Sequence, residues 1–181
     1  MDLITRPGQA AVTAPILILA LAACAMTRTG GTTMDRTAEN KELVRRVVTE
    51  GVNRADLALL RETLSPDYAR HSQATTATPE IRGRDQMMGF LHATFEAFPD
   101  WHESIELMLA EGDLVAYITT GTGTHTGAFG DVPATGKRVE ITNYIVQRIA
   151  DGQIAETWIG WDNLAFLQQI GLFPPPEGGP R

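Results

Sequence analysis

Four histidines, one cysteine, three serines and a scatter of carboxylates are the side chains from which this chain could build a reactive centre. His71, His92, His102 and His125 stand at no i, i+4 or other ligand spacing, so the sequence encodes no histidine-built metal site. The single cysteine, Cys24, excludes an internal disulfide and a cysteine-built metal site. Ser65, Ser72 and Ser104 lack the strand-turn-helix elbow that exposes a nucleophilic serine. The glycine-rich stretch Gly121-Thr-Gly-Thr-His-Thr-Gly127 does not have G-x-G-x-x-G spacing, and it lies within a strand-like segment rather than ahead of a helix. A phosphate cradle is therefore not expected there.

What remains is acid–base work. An ordinary imidazole titrates near pKa ~6.5, which suits proton transfer at neutral pH. His71 follows Tyr68 in a short extended piece, where it either enters the mouth of a cavity or sits on a surface loop. Asp162 follows Trp161 and directly precedes a helix, so it serves either as an acid–base group or as an N-cap.

The elements that must position these groups are legible as periods. Leu43, Val44, Val47, Val48 and Val52 recur at helical spacing over about Thr37 to Asn53, with Arg45 and Arg46 on the solvated face. A shorter helix spans Ala55–Leu64 and ends before Ser65-Pro66, and Tyr68–His71 is brief and extended. Met87, Leu91, Phe95 and Phe98 mark a third helix, stopped by Pro99. Beyond it, Ile105, Leu107 and Leu109 alternate with polar or flexible neighbours, and Leu114–His125, Arg138–Ile149 and Gln153–Asp162 continue the strand pattern. Asn163–Ile170 closes the domain as a helix, with Gly171 as its stop. Helices followed by consecutive antiparallel strands give an α+β domain, a curved antiparallel sheet wrapped around N-terminal helices with a pocket inside.

The ends of the chain read differently. Residues 14–23 form an apolar run after Arg6, too short for a membrane helix of about 20 residues but the size of a signal-peptide core. Leu21-Ala22-Ala23-Cys24 resembles a bacterial lipobox, which implies cleavage before Cys24, lipidation of that cysteine and a lipid-anchored place in the cell envelope. A start at Met26 or Met34 would instead leave the protein in the cytoplasm. On this reading 1–23 is a signal peptide, 24–34 a polar tether, 35–173 the folded domain and 174–181 a Pro/Gly tail. The net charge of −7 argues against a nucleic-acid partner, since phosphate binding needs a basic stripe.

From Asn40 to Leu172 the chain resembles the SnoaL-like polyketide (ester) cyclases. Leu43-Val-Arg-Arg46, Asn53-Arg-Ala-Asp-Leu57, Ser65-Pro-Asp-Tyr68, Phe98-Pro-Asp100, Gly123-Thr-His-Thr-Gly127, Arg148-Ile-Ala-Asp-Gly-Gln-Ile154, Trp161-Asp162 and Leu167-Gln-Gln-Ile-Gly171 fall in that family's order. The resemblance implies a cone-shaped α+β barrel, a homodimer through the outer face of the sheet, and ring closure without metal or cofactor. Within it His125 belongs to the Gly-Thr-His-Thr-Gly signature, as a strand-end hydrogen-bonding residue or as a functional one.

The departures from the family matter. Its acid–base aspartate and the histidine of the preceding strand align with Ile159 and Ile145, which cannot exchange a proton. A three-residue loop Ala150-Asp151-Gly152 would pair Ile145 with Thr157 and Asn143 with Ile159, all facing one side. The expected pocket is thus lined by Tyr68, Tyr117, Asn143, Ile145, Thr157, Ile159 and Trp161, with His71, Asp162 and His125 as candidates for the missing acid–base group. Two functions follow: a cofactor-independent cyclase-like enzyme acting on a small apolar carbonyl compound, or a non-catalytic, envelope-tethered protein that binds such a molecule.

Overall fold

The computed structural model describes residues 33–72 and 80–174. Cys24, the segment read as a signal peptide and the tail from 175 onward lie outside the described residues. Helix α1, Thr33–Arg46, starts four residues before the expected Thr37, so two residues assigned to the tether are helical. It runs on through a wider π-helical stretch, Val47–Val52, that buries Val47, Val48 and Gly51. Helix α2, Leu57–Thr63, is capped by Asp56, whose side chain accepts from the Leu59 amide. Strand β1, Leu64–Ser72, follows at once, then β2, Ile81–Arg82, and helix α3, Arg84–Ala97. Strands β3, His102–Glu111, β4, Leu114–Thr124, β5, Arg138–Ala150, and β6, Gln153–Trp161, form a meander, and helix α4, Asn163–Ile170, closes the chain.

The six strands make one open curved sheet in the order β2-β1-β6-β5-β4-β3. This is the α+β cone, with one addition to the expected antiparallel sheet: β1 lies parallel to β6. The short piece at Tyr68–His71 is thus the second half of a nine-residue strand. Its pairing slips between Leu64 and Ala69, where Pro66 has no amide hydrogen to give to a ladder. The main core lies between the helices and the concave face, with Val44, Val48, Val115, Ile149 and Ile154 almost fully buried. Each such side chain contributes about 1.5–3 kcal/mol by leaving water. Among the described residues no helix is long and apolar enough to cross a membrane.

Two registers differ from expectation. Asp151 and Gly152, both at positive φ, make a two-residue turn that pairs Ala150 with Gln153. A bulge at Ala155 adds one further step, so Ile145 faces Ile159 and Thr157 faces Gln147. The total slip is two residues, which keeps Asn143, Ile145, Thr157 and Ile159 on one face. In β3 the register shifts between Ile105 and Leu107, which reverses the facing of the strand. Leu107 and Leu109 therefore lie on the outer face, 50% and 62% exposed, and Met108 packs inside.

Candidate functional site

The concave face encloses a cavity of about 200 Å³, and apolar side chains such as Val48, Leu60, Phe90, Leu91 and Phe95 make up most of its wall. An apolar cavity of ~150 Å³ is already enough to admit benzene. Tyr68, Tyr117, Asn143, Ile145, Thr157, Ile159 and Trp161 all line it. Four further polar side chains do so too: Arg70, Thr94, Glu103 and Gln147.

Glu103 is the carboxyl group the sequence reading missed. It sits on β3 two residues before Ile105 and points inward with it, ahead of the register shift. The indole of Trp101 donates to its carboxylate, Nε1 to Oε1 at 3.2 Å, and the Thr119 hydroxyl donates to it as well. Asn143 in turn donates from Nδ2 to the Thr119 oxygen at 3.2 Å. Behind the strand, Asn53 bonds both backbone groups of Glu103: its amide nitrogen donates to the Glu103 carbonyl at 2.9 Å and its oxygen accepts from the Glu103 amide at 2.7 Å. That side chain occupies the free edge of β3 as a neighbouring strand would.

Glu103 fronts the cavity from a partly buried position, and desolvation raises its pKa above the usual glutamate range. The donors Trp101 and Thr119 pull the other way without cancelling the effect. Tyr117 is pushed well above the ordinary phenol value, by burial first and by the Glu103 charge second, so its hydroxyl stays a neutral donor. Burial also raises Tyr68, whose hydroxyl is hydrogen-bonded to Thr157.

Two local devices hold this arrangement. Asp100 accepts from the Thr124 amide and hydroxyl, each at 2.7 Å, and so ties the turn before β3 to the end of β4. The Trp101 ring lies flat against β4 where the chain has Gly121 and Gly123, and a Cβ on either would come within 2.6 or 2.8 Å of it. The glycine-rich stretch is therefore a seat for Trp101.

None of the three catalytic candidates from the sequence lines the cavity. His71 lies on the outer face, stacked on Trp158 at 5.4 Å, with Nε2 2.7 Å from Glu156 and Nδ1 3.3 Å from Glu80. Successive residues of a strand face opposite sides, so with Arg70 inside His71 must point out. Asp162 caps α4, accepting from the Ala165 amide at 2.9 Å. His125 is wholly buried, stacked on Phe98 at 5.1 Å with Nδ1 3.1 Å from the Thr135 hydroxyl. Burial lowers its pKa, which makes it a neutral residue of the loop between β4 and β5. Among the described residues no three potential ligands cluster for a metal ion.

The family model of SnoaL-like polyketide cyclases matches residues 42–170. A protein from Jannaschia sp. CCS1, assigned as a SnoaL-like polyketide cyclase, is similar at 29% identity and a TM-score of 0.68, over 76% of this chain and 95% of its own. IdmH from Streptomyces antibioticus, assigned as a polyketide cyclase, is 32% identical with a TM-score of 0.63, over 73% of this chain and 98% of its own. AclR from Streptomyces galilaeus, assigned as a hydroxylase, is 32% identical with a TM-score of 0.67, over 77% and 85%. No curated protein matches the chain. With cone, cavity and matched residues in agreement, the chain belongs to the SnoaL-like polyketide cyclase family.

Proposed function

We propose that the cavity carries out cofactor-independent acid–base chemistry on a small, largely apolar carbonyl compound, with Glu103 as the proton-transfer group. The observation that carries this reading is one carboxyl group in an apolar cavity, with a raised pKa and two fixed donors. A carboxylate desolvated in this way is a stronger base than one in water, and its protonated form persists closer to neutral pH.

In a ring closure, Glu103 takes the proton from a carbon next to a carbonyl. The C–H electron pair becomes the enolate, and Tyr117 and Asn143 are the neutral donors on the same wall for its oxygen. The enolate carbon then bonds to a second carbonyl carbon of the same molecule, and the oxygen released from that double bond takes the proton back from Glu103. No atom is gained or lost, and no oxidant is needed. Ile145 and Ile159 supply shape where the family has its proton-transfer residues.

Those same two isoleucines support the other reading, a binding protein that holds its ligand unchanged. The two are separated by NMR in D2O with a 1,3-dicarbonyl compound. Exchange at the activated carbon that is catalysed by the wild type and lost in Glu103→Gln supports the enzyme. Binding without catalysed exchange supports the carrier.

A further inference from the structure

Arg70 lies in the second half of β1, paired with Thr157 of β6 on one side and Ile81 of β2 on the other, and its side chain enters the cavity. Only 4% of the residue is exposed. The guanidinium lies 4.9 Å from the centre of the Phe90 ring and 5.7 Å from that of Trp161. Its Nη1 has no hydrogen-bond partner. Among the described residues no carboxylate forms an ion pair with it: Glu80 and Glu156, on the segments that flank β1, are taken up by His71, Arg82 and Arg148 on the outer face. Glu103 is held in the separate cluster of Trp101 and Thr119.

A buried guanidinium keeps its charge, and without a counter-ion that charge is costly. Cation–π contacts offset part of the cost but leave its in-plane N–H groups unsatisfied. Those groups form a flat fork suited to two oxygens of one anion. The cavity thus contains a positive charge with an unused donor and no carboxylate paired to it.

We propose that the ligand supplies the partner: the cavity takes a carboxylate-bearing molecule whose anionic end is held by Arg70 and whose apolar body lies against Phe90, Leu91 and Trp161. This rests on the reading of the cavity as the functional site and narrows its substrate class. A carbonyl compound held there by a carboxylate has one end fixed, which sets which of its carbons can reach Glu103.

The test compares two isosteric pairs by calorimetry at neutral pH: phenylacetate with phenylacetamide, and 2-naphthylacetate with 2-naphthylacetamide. The wild type is expected to bind at least one acid about 10-fold or more tighter than its amide, as a desolvated charge-assisted pair should. Arg70→Met should abolish that preference and leave amide binding equal or stronger, because the cavity becomes neutral. Arg70→Lys, which keeps the charge but loses the fork, should retain a reduced preference and serves if Arg70→Met does not fold. Amides that bind the wild type as tightly as the acids overturn the proposal and leave the cavity reading in place. A preference for acids that persists in Arg70→Met overturns it too. If neither pair binds, both readings fail.

Discussion

Trp101 donates its indole N–H to the carboxylate of Glu103, two residues along the chain, and both side chains face into the cone. The pair depends on a third residue on another strand, since Gly121 lies opposite Glu103 in the ladder and leaves room for the indole. Gly121→Ala is expected to displace the ring, cost about 1–3 kcal/mol as an overpacked site, and raise the Glu103 pKa further by removing a donor. Urea denaturation gives the first effect and the pH–rate profile the second.

Glu103→Gln should lower turnover by about 10²–10⁴-fold, the usual contribution of a positioned acid–base group. Its effect on stability has the opposite sign. The folded-state pKa is raised above the unfolded one, so the folded protein holds more protons between the two values. Stability of the wild type therefore falls as pH rises through that window and levels off above it. The glutamine variant should lack this fall and be at least as stable as wild type at the alkaline end. A variant that lost stability most at high pH would contradict the buried-acid assignment.

Thr119→Val keeps the shape of a fully buried side chain and removes the hydroxyl between Asn143 and Glu103. With one donor to the charged form gone, the apparent pKa governing activity should move upward. A profile that stayed in place would show that Thr119 does not tune the carboxyl group.

Asn53→Ala removes both side-chain bonds to the Glu103 backbone. Two partly buried backbone groups lose their partners, for a cost of about 1–3 kcal/mol each where water does not replace them. Because Asn53 touches no ligand-facing surface of the cavity, kcat should fall more than KM rises. Equal effects on both would assign it to ligand binding instead.

We propose that Cys24 is the mature, lipid-modified N-terminus. Mass spectrometry of the protein from a bacterial host with lipoprotein processing should give an N-terminal Cys24 peptide carrying acyl chains. An unmodified peptide that spans residues 20–28 would remove the envelope address.

The cone was legible because helices and strands leave different periods, and because Leu43 to Val52 and Arg138 to Ile149 each hold one period throughout. The cavity-facing set on β5 and β6 was legible too, since a slip of two residues leaves every side chain on its face. Glu103 was hidden because Ile105, Leu107 and Leu109 alternate in the sequence as if they formed one face. The register shift after Ile105 divides them: Ile105 goes in with Glu103, and Leu107 and Leu109 go out. The parallel ladder between β1 and β6 escaped for another reason. It joins residues 87 positions apart, His71 with Trp158 for example, and no local period records such a partnership.

That ladder has a kinetic meaning. The β3–β6 meander consists of neighbouring hairpins that can close early, whereas docking β1 on β6 brings together His71 and Trp158, 87 residues apart. Contacts of such high sequence separation must overcome chain entropy before they stabilise anything, and they form late. Tyr68 and Arg70 arrive only with that strand, so the cavity is complete only in the final native state. A ligand that fills it binds the folded form alone and should slow unfolding, which makes the unfolding rate a readout of occupancy that needs no turnover.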